Sequence, residues 1–475
     1  MSSFILTSVG IPIIGSFLVL IARRYRHIVS FSIIGLSLIS LIYFAFSSPL
    51  KEAISLKVIG LDFIVDNLSL FMAFCSTLVG ILIIYYSFGY MKEKRHLGEY
   101  YFFVSIFLGA MVGLIFSGNL LLMYFFWEIT TICSWRLIGF YRKTEHLINA
   151  NKALYLTFLG SCLMLVGIEL VYHNYGCLNL YDLHKLAMSK GDNLNTLGFM
   201  LLFLGMVAKS AQFPFQIWLP AAGVAPTPVT ALLHAAVLVK IGVYAFARIF
   251  LWTFPIKAQF SEIVLILMII SALISSLSAL FENDIKKILA YSTICQISYI
   301  FMGLSLNTSI AVKGALLYIL VHGIGKAGLF LSAGVVEHET HERDIRKLGG
   351  LYKTMPFTAA AFLLCAFSIM GLPPFGGFWA KFFIIFGLIE THHYTIAILM
   401  ILTAVFTMLY LLRFFNRVFM GRQTHPNDFE GSREMIFTIV VLGIFGLLIG
   451  IFIKPNWAIL ESIINQIQII GGYYG

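Results

Sequence analysis

Long apolar runs dominate this chain, and each has about the length that an α-helix needs to cross a lipid bilayer. A hydrocarbon core about 30 Å thick requires roughly 20 residues of predominantly apolar helix. By this measure the sequence predicts about fourteen spans, near 4–22, 28–47, 64–90, 99–117, 119–140, 152–173, 196–236 (broken), 237–252, 262–281, 287–305, 311–336, 356–391 (broken), 394–419 and 435–453. We therefore expect an all-α polytopic membrane protein.

The composition agrees with this interpretation. Apolar residues make up 60% of the 475 residues and charged residues 11%, whereas a soluble domain has about 45–50% and about 25%. The formal net charge of +10 comes from Lys and Arg in short loops, so it indicates membrane topology rather than nucleic-acid binding. The six cysteines show no ligand-like spacing, and we expect buried thiols without a metal site or disulfide framework.

Basic residues crowd into alternate loops, for example at 23–26, 92–95 and 343–353, and are sparse in the loops between them. The positive-inside rule places the basic loops in the cytoplasm, so both termini are expected on the outer side of the cytoplasmic (inner) membrane. The first apolar run precedes its arginines rather than following them, which predicts a retained helix and not a signal peptide. The tail at 457–470 is predicted to be an amphipathic helix on the membrane surface.

Two spans are interrupted by proline and glycine, at 211–228 and at 371–377. Proline removes a backbone donor, glycine permits an unwound turn, and lipid tolerates such breaks only where protein or water covers them. Because the breaks lie five spans apart, they predict two inverted five-helix repeats; the alternative is two independent kinks. The predicted division is helices 1–3 in 1–98, the first repeat (helices 4–8) in 99–252, the second repeat (helices 9–13) in 262–420, and the last helix and tail in 435–475.

Several ionisable residues stand far from any loop, where a charge costs about 2.5–3.5 kcal/mol on insertion scales. Arg136 and Arg248 lie near predicted helix ends and are expected to snorkel. A buried lysine near an acid is poised between charged and neutral forms; the alternative is a static ion pair that holds two helices together. The deeper residues are the candidates for proton translocation: Glu128, Lys209, Lys240, Lys326 and Lys381.

Two histidines lie near these lysines in sequence. His322 and Lys326 are four residues apart and therefore share one helical face, and His234 precedes Lys240 by less than two turns. We interpret both histidines as proton relays; the alternative is that each is a satisfied core residue. In an inverted repeat these spans can meet at the midplane, which predicts a polar row along the membrane centre that transfers protons laterally.

Several motifs resemble those of one membrane-protein family. They cover most of the chain from about 60 to 420, at 66–70, 118–128, 209–220, 225–236, 284–292 and 371–381. The chain resembles the antiporter-like subunits shared by respiratory complex I, Mrp cation/proton antiporters and membrane-bound NiFe hydrogenases, in particular component D of hydrogenase 4. The resemblance implies an essential pair, central connecting residues and a terminal lysine, which match Glu128 with Lys209, Lys240 with His322 and Lys326, and Lys381 respectively. Arg136 departs from the family pattern, as does the glycine-rich run at 322–326.

This resemblance implies a proton- or sodium-translocating subunit of a membrane-bound NiFe hydrogenase or related respiratory complex. Redox chemistry would take place in partner membrane and peripheral subunits that carry nickel–iron and iron–sulfur centres, because no cofactor site, metal ligand or catalytic residue is predicted in this chain. The alternative is an Mrp-type cation/proton antiporter subunit without a redox partner. A third hypothesis is a passive scaffold whose charges are vestigial.

Overall fold

The computed structural model describes residues 1–48, 50–190, 194–425 and 429–471. Their order is α1 (Ser2–Ile21), α2 (Arg26–Ser47), β1 (Ile54–Val58), β2 (Leu61–Val65), α3 (Asn67–Tyr90), α4 (Leu97–Phe116), α5 (Leu120–Ile138), α6 (Thr144–Tyr175), α7 (Leu180–Lys190), α8 (Thr196–Lys209), α9 (Trp218–Ala221), α10 (Thr227–Thr253), α11 (Ala258–Phe281), α12 (Ile285–Ser305), α13 (Ser309–Thr340), α14 (Pro356–Met370), α15 (Gly376–Glu390), α16 (Tyr394–Val418), α17 (Arg433–Ile451) and α18 (Ile453–Gly471). The predicted all-α membrane fold is confirmed.

The number of membrane spans is settled only in part. Within the described ranges, twelve helices are long and apolar enough to cross a membrane. The broken spans account for the difference from the predicted count, because α8 and α14 have only 14 and 15 residues. The count of about fourteen therefore stays a prediction.

The predicted boundary between two spans at residue 237 coincides with an irregularity in α10. The π-helical turn at Leu232–Ala236 is followed by Val237, which has the non-helical angles φ −124° and ψ −76°, and α-helix resumes at residue 238. By length and composition, residues 227–253 nevertheless form one candidate membrane span. His234 and Lys240 lie on either side of the irregularity.

A β-hairpin precedes α3 and was not predicted from the apolar pattern. Its strands pair antiparallel from Ile54 opposite Val65 to Val58 opposite Leu61. The connecting residues Ile59 and Gly60 both have positive φ angles, 53° and 78°, which is the conformation that a tight two-residue hairpin turn requires.

Three helices form the centre of the molecule. α10, α12 and α13 are almost entirely buried by protein, whereas fewer than half of the residues in the apolar windows of α1, α2, α16 and α17 are buried. Outer helices expose their apolar side chains, as expected for surfaces in contact with lipid. The ionisable residues in the middle of α10 and α13 are therefore enclosed by protein: His234, Lys240, His322 and Lys326.

Equivalent caps and bridges recur in the two halves of the chain. Asn119 caps α5 and forms an antiparallel bridge with Asn179 after α6. Asp284 caps α12 and forms the same type of bridge with Asp344 after α13. The helices α6 and α13, which follow the capped helices in the two halves, each have 32 residues.

Candidate functional site

The seven predicted translocation residues lie on five helices. Glu128 is on α5, Lys209 ends α8, His234 and Lys240 are on α10, His322 and Lys326 are on α13, and Lys381 is on α15. Six of these side chains are buried, and Glu128 is half-buried. Hydrogen bonds in the described part of the chain join Lys209, Lys326 and Lys381 to backbone or hydroxyl groups rather than to another member of the set.

Lys209 is held at the first helix break. Its Nζ donates to Thr131 Oγ1 at 2.6 Å and to the carbonyl of Trp127 at 3.2 Å, and it lies 5.3 Å from the centroid of a Trp127 ring. At the end of α8 the amine is also near the negative end of the helix dipole.

Glu128 follows the residue that accepts this hydrogen bond. Its Oε1 is buried without a hydrogen-bond partner. No ion pair within 4 Å joins Glu128 to Lys209 among the described residues, so their predicted association stays a prediction. The free carboxylate oxygen leaves a polar atom available to water.

The unwound segment after α8 is stabilised by Gln212. Its amide nitrogen donates to the carbonyl of Ser210 at 3.0 Å, and its oxygen accepts from Ser271 at 2.9 Å and from Ser298 at 2.6 Å. These bonds connect the break to α11 and α12, so protein groups satisfy backbone that lipid could not. The sequence analysis missed Gln212.

The central groups have buried polar atoms without partners. Both ring nitrogens of His234, both ring nitrogens of His322 and the Nζ of Lys240 lack a hydrogen bond. A Cβ atom placed on Gly323 would lie 2.5 Å from the Lys240 amine, so Lys240 packs against α13 beside His322. The glycine provides the room that the ammonium group occupies.

The remaining lysines lie in the second half of the chain. Lys326 donates to the carbonyl of Leu289 at 3.2 Å. Lys381 donates to the carbonyls of Ile369 and Met370 at 2.8 and 3.2 Å, which are exposed by the end of α14 at the second break. The Lys381 amine thus satisfies carbonyls that an uninterrupted helix would have used itself, whereas Leu289 lies within α12.

Tyr318 connects the central histidine with the terminal lysine. Its ring centroid is 6.2 Å from that of His322 and 5.9 Å from the Lys381 amine, and its hydroxyl donates to Gln296. Tyr318 precedes His322 by four residues and so shares its helical face. That spacing is a signal in the sequence that points to Tyr318 and that the predicted set of residues leaves out.

The structure corrects the prediction for Arg248. This arginine does not snorkel, because its side chain is fully buried and forms two hydrogen bonds with Asp66, at 2.6 and 2.8 Å. Arg136 is partly exposed and pairs with Glu99, which also binds Arg142. Both arginines are held in ion pairs rather than left free to exchange protons.

In the part of the chain that the structure describes, no group of three or more His, Cys, Asp and Glu side chains could hold a metal ion. The six cysteines are free thiols. Four of the seven candidate residues have buried polar atoms without a hydrogen-bond partner: Glu128, His234, Lys240 and His322.

Comparison with protein families gives two matches. Residues 117–407 match the model described as NADH:quinone oxidoreductase/Mrp antiporter, transmembrane. Residues 54–101 match the model described as NADH-ubiquinone oxidoreductase (complex I), chain 5 N-terminus. Together the matches include α5, α8, α10, α13 and α15, which carry the seven candidate residues.

Curated relatives come from two kinds of complex. One of them, a component of the Na⁺/H⁺ antiporter of Alkalihalophilus pseudofirmus, is 35% identical over 435 residues, which are 84% of this chain and 53% of the relative. Another, a component of the NADH-quinone oxidoreductase of Buchnera aphidicola, is 34% identical over 418 residues, which are 86% of this chain and 67% of the relative. The chain spans about half the length of the antiporter relatives that it matches.

Two solved structures share the fold. A chain of the Mrp complex from Dietzia sp. DQ12-45-1b superposes with a TM-score of 0.88 at 22% identity, covering 98% of this chain and 97% of the other. A chain of the archaeal membrane-bound sulfane sulfur reductase superposes with a TM-score of 0.91 at 24% identity, covering 100% and 99%.

Proposed function

The chain belongs to the NADH:quinone oxidoreductase/Mrp antiporter family of membrane subunits, and on this premise we propose that it exchanges sodium for protons as the ion-translocating subunit of an Mrp-type antiporter. The curated relatives that carry the name Na⁺/H⁺ antiporter favour this hypothesis over a hydrogenase subunit. Glu128, Lys209, His234, Lys240, His322, Lys326 and Lys381 would be the groups that pass protons.

The unpartnered atoms of the central groups are the observation that carries this proposal. Burying a polar group without a hydrogen bond is costly, and ordered water is the usual partner of such a group. Water between Lys240, His234 and His322 would link Lys209 at the first break to Lys381 at the second. A static scaffold would instead pair each amine within protein, as Arg248 is paired with Asp66.

The division into inverted repeats, 99–252 and 262–420, is part of the proposal. The caps and bridges at Asn119 and Asp284 support it, because they occupy equivalent positions in the two halves. In inverted repeats the two sites lie on opposite membrane faces. With the basic loops in the cytoplasm, Asp284 would face the cytoplasm and both termini the outside.

A second candidate is the corresponding subunit of a redox-driven complex, including the hydrogenase type. The match to the NADH-quinone oxidoreductase relative favours it, because this chain covers more of that relative than of the antiporter relatives. Purification from native membranes in a mild detergent would separate the two candidates. Co-purification of small membrane proteins alone would support the antiporter. Co-purification of nickel–iron or iron–sulfur proteins would support the redox-driven complex.

Lys209→Ala tests the proposed function. The complete complex would be expressed in cells that lack other Na⁺/H⁺ antiporters, and everted vesicles would be given a pH gradient followed by sodium. We expect sodium to dissipate the gradient in wild-type vesicles and to have no effect with Lys209→Ala. Lys313→Ala is the matched control, because Lys313 is also buried but pairs with Glu461 outside the row.

The results with Lys209→Ala and with Lys313→Ala both test the proposal. Exchange that persists with Lys209→Ala at the wild-type rate would contradict it for this site. An equal loss in Lys313→Ala vesicles that contain normal amounts of complex would show that the assay does not distinguish the row from other buried lysines.

A further inference from the structure

A second ionisable cluster lies at the end of α13, outside the seven-residue row. Glu337 Oε2 accepts from the Lys286 amine at 2.6 Å and from the Thr227 hydroxyl at 2.8 Å. The same lysine donates to the carbonyl of Ala225 at 3.0 Å. The sequence analysis placed Lys286 in a loop, but only 1% of its side chain is exposed, compared with 20% for Glu337.

A cavity lies beside this cluster on one side of the molecule. An open cavity of about 710 Å³ is bordered by Asp284 and Arg343, which form an ion pair at 2.9 Å. Arg343 in turn lies 3.9 Å from Glu337 Oε1. Burial lowers the pKa of Arg343, but the charges of Asp284 and Glu337 together with the hydrogen bond to Asp284 raise it above its usual value, so the arginine stays charged beside the cavity.

On its inner side the cluster points towards the buried row. Glu337 and Lys326 lie on one face of α13, about 16 Å apart along its axis, which is close to half of a hydrocarbon core about 30 Å thick. The Ser332 hydroxyl, which lies between them along the axis but on another side of α13, is buried without a partner. Thr227 lies about 10 Å before His234 along α10. The ring of His234 packs on Phe330 of α13.

We infer that Glu337 passes protons between cytoplasmic water and the buried row, and that Lys286 closes this entrance by pairing with the ionised carboxylate. The inference rests on the proposed function and on the proposed orientation. Protonation from the cavity neutralises Glu337 and breaks the ion pair, while Lys286 keeps its bond to Ala225. The proton then leaves Glu337 for water beside Thr227 and reaches His234, and the carboxylate pairs with Lys286 again.

The surroundings of Glu337 fit a group that changes charge. The titratable groups around it come from α3, the loop between α5 and α6, the start of α12, the loop after α13 and its own helix. They are Tyr86, Tyr90, Tyr141, Asp284, Lys286, Arg343, His338 and Glu339. Asp284 is already paired with Arg343, and Glu339 with His338. Glu337 is therefore the carboxylate of this cluster that contacts α10 directly, through Thr227.

Glu337→Gln tests the inference in the vesicle assay described above. The amide can still accept from Thr227, but it cannot carry a proton, so we expect sodium-driven proton exchange to fall by about tenfold or more. Glu337→Asp keeps a carboxylate and should restore much of the rate. Glu339→Gln is the matched control on the same turn and should exchange at the wild-type rate.

The exchange rates of these variants test the inference, provided that the vesicles contain normal amounts of assembled complex. Wild-type exchange by Glu337→Gln overturns the inference, and so does equal failure of Glu337→Asp and Glu337→Gln, which would indicate a structural requirement for the glutamate. Loss with Glu337→Gln, recovery with Glu337→Asp and no effect of Glu339→Gln support it. Lys209→Ala separates the two proposals: exchange that is lost with Lys209→Ala but kept with Glu337→Gln contradicts this inference alone.

Discussion

Buried charges in this protein fall into two groups that differ in their partners. Asp66 and Arg248 are fully paired, with two hydrogen bonds between them. The Lys240 amine and both central histidines have no partner. An unpaired group in a low-dielectric interior keeps the option of binding or releasing a proton, whereas a bidentate ion pair fixes the charge of both members.

Lys240→Met should separate stability from transport. Because the amine has no hydrogen bond, its removal saves the cost of burying a charge, about 2.5–3.5 kcal/mol at a helix centre. We expect thermal unfolding of the purified complex at an unchanged or higher temperature, together with loss of sodium-driven proton exchange. A markedly lower unfolding temperature would show that Lys240 contributes to the fold, contrary to its proposed role.

Asp66→Asn should have the opposite effect on stability. It leaves the Arg248 guanidinium buried without a counter-charge, which costs about 3–5 kcal/mol. Thermal unfolding would report this as a clearly lower transition temperature. The double variant Asp66→Asn with Arg248→Met removes both charges, keeps a side chain that can cap α3 at Ser69, and should recover most of the loss. A single variant as stable as the wild type would contradict the structural role of this pair.

At the scale of helices, the two breaks were predicted from proline and glycine, and both occur. The breaks position Lys209 and Lys381, whose amines lie at the ends of α8 and α14. Sequence reasoning could not find the hairpin at 54–65, because short strands do not stand out against long apolar runs. The boundary that it placed at residue 237 falls on the non-helical Val237, although residues 227–253 form one candidate membrane span.

Gly377→Ala tests the second break. A Cβ atom at this position would overlap the carbonyl oxygen of Ser368, which belongs to backbone and cannot move without shifting α14. Overpacking of this kind costs about 1–3 kcal/mol or more, so we expect less assembled complex and a lower unfolding temperature. Gly10→Ala is the control, because no atom lies within 4 Å of a Cβ there. Equal stability of the two variants would show that α14 and α15 adapt readily.

At the scale of the whole molecule, the sequence predicted which ionisable residues are buried better than it predicted their partners. All six deep candidates other than Glu128 are buried. The pairings of Arg248 with Asp66 and of Lys286 with Glu337 were missed, because each joins residues far apart in sequence and spacing along a helix carries no signal for such contacts. Tyr318 could have been predicted from the sequence, because it shares a helical face with His322.

The candidate translocation residues on the central helices are surrounded by protein rather than by lipid because of the way these helices pack. α10 and α13 are enclosed on nearly all sides, so the polar side chains they carry can be solvated only by protein or by internal water. Internal water is the element on which lateral proton transfer depends. Dry packing between the charged groups would isolate each lysine.

A structure of the assembled complex in lipid, at a resolution that shows ordered water, tests this account most directly. We predict water molecules that hydrogen-bond to the Lys240 amine and to the rings of His234 and His322, and that continue towards Lys209 and Lys381. Apolar side chains packed around these nitrogens, with no water between them, would contradict it.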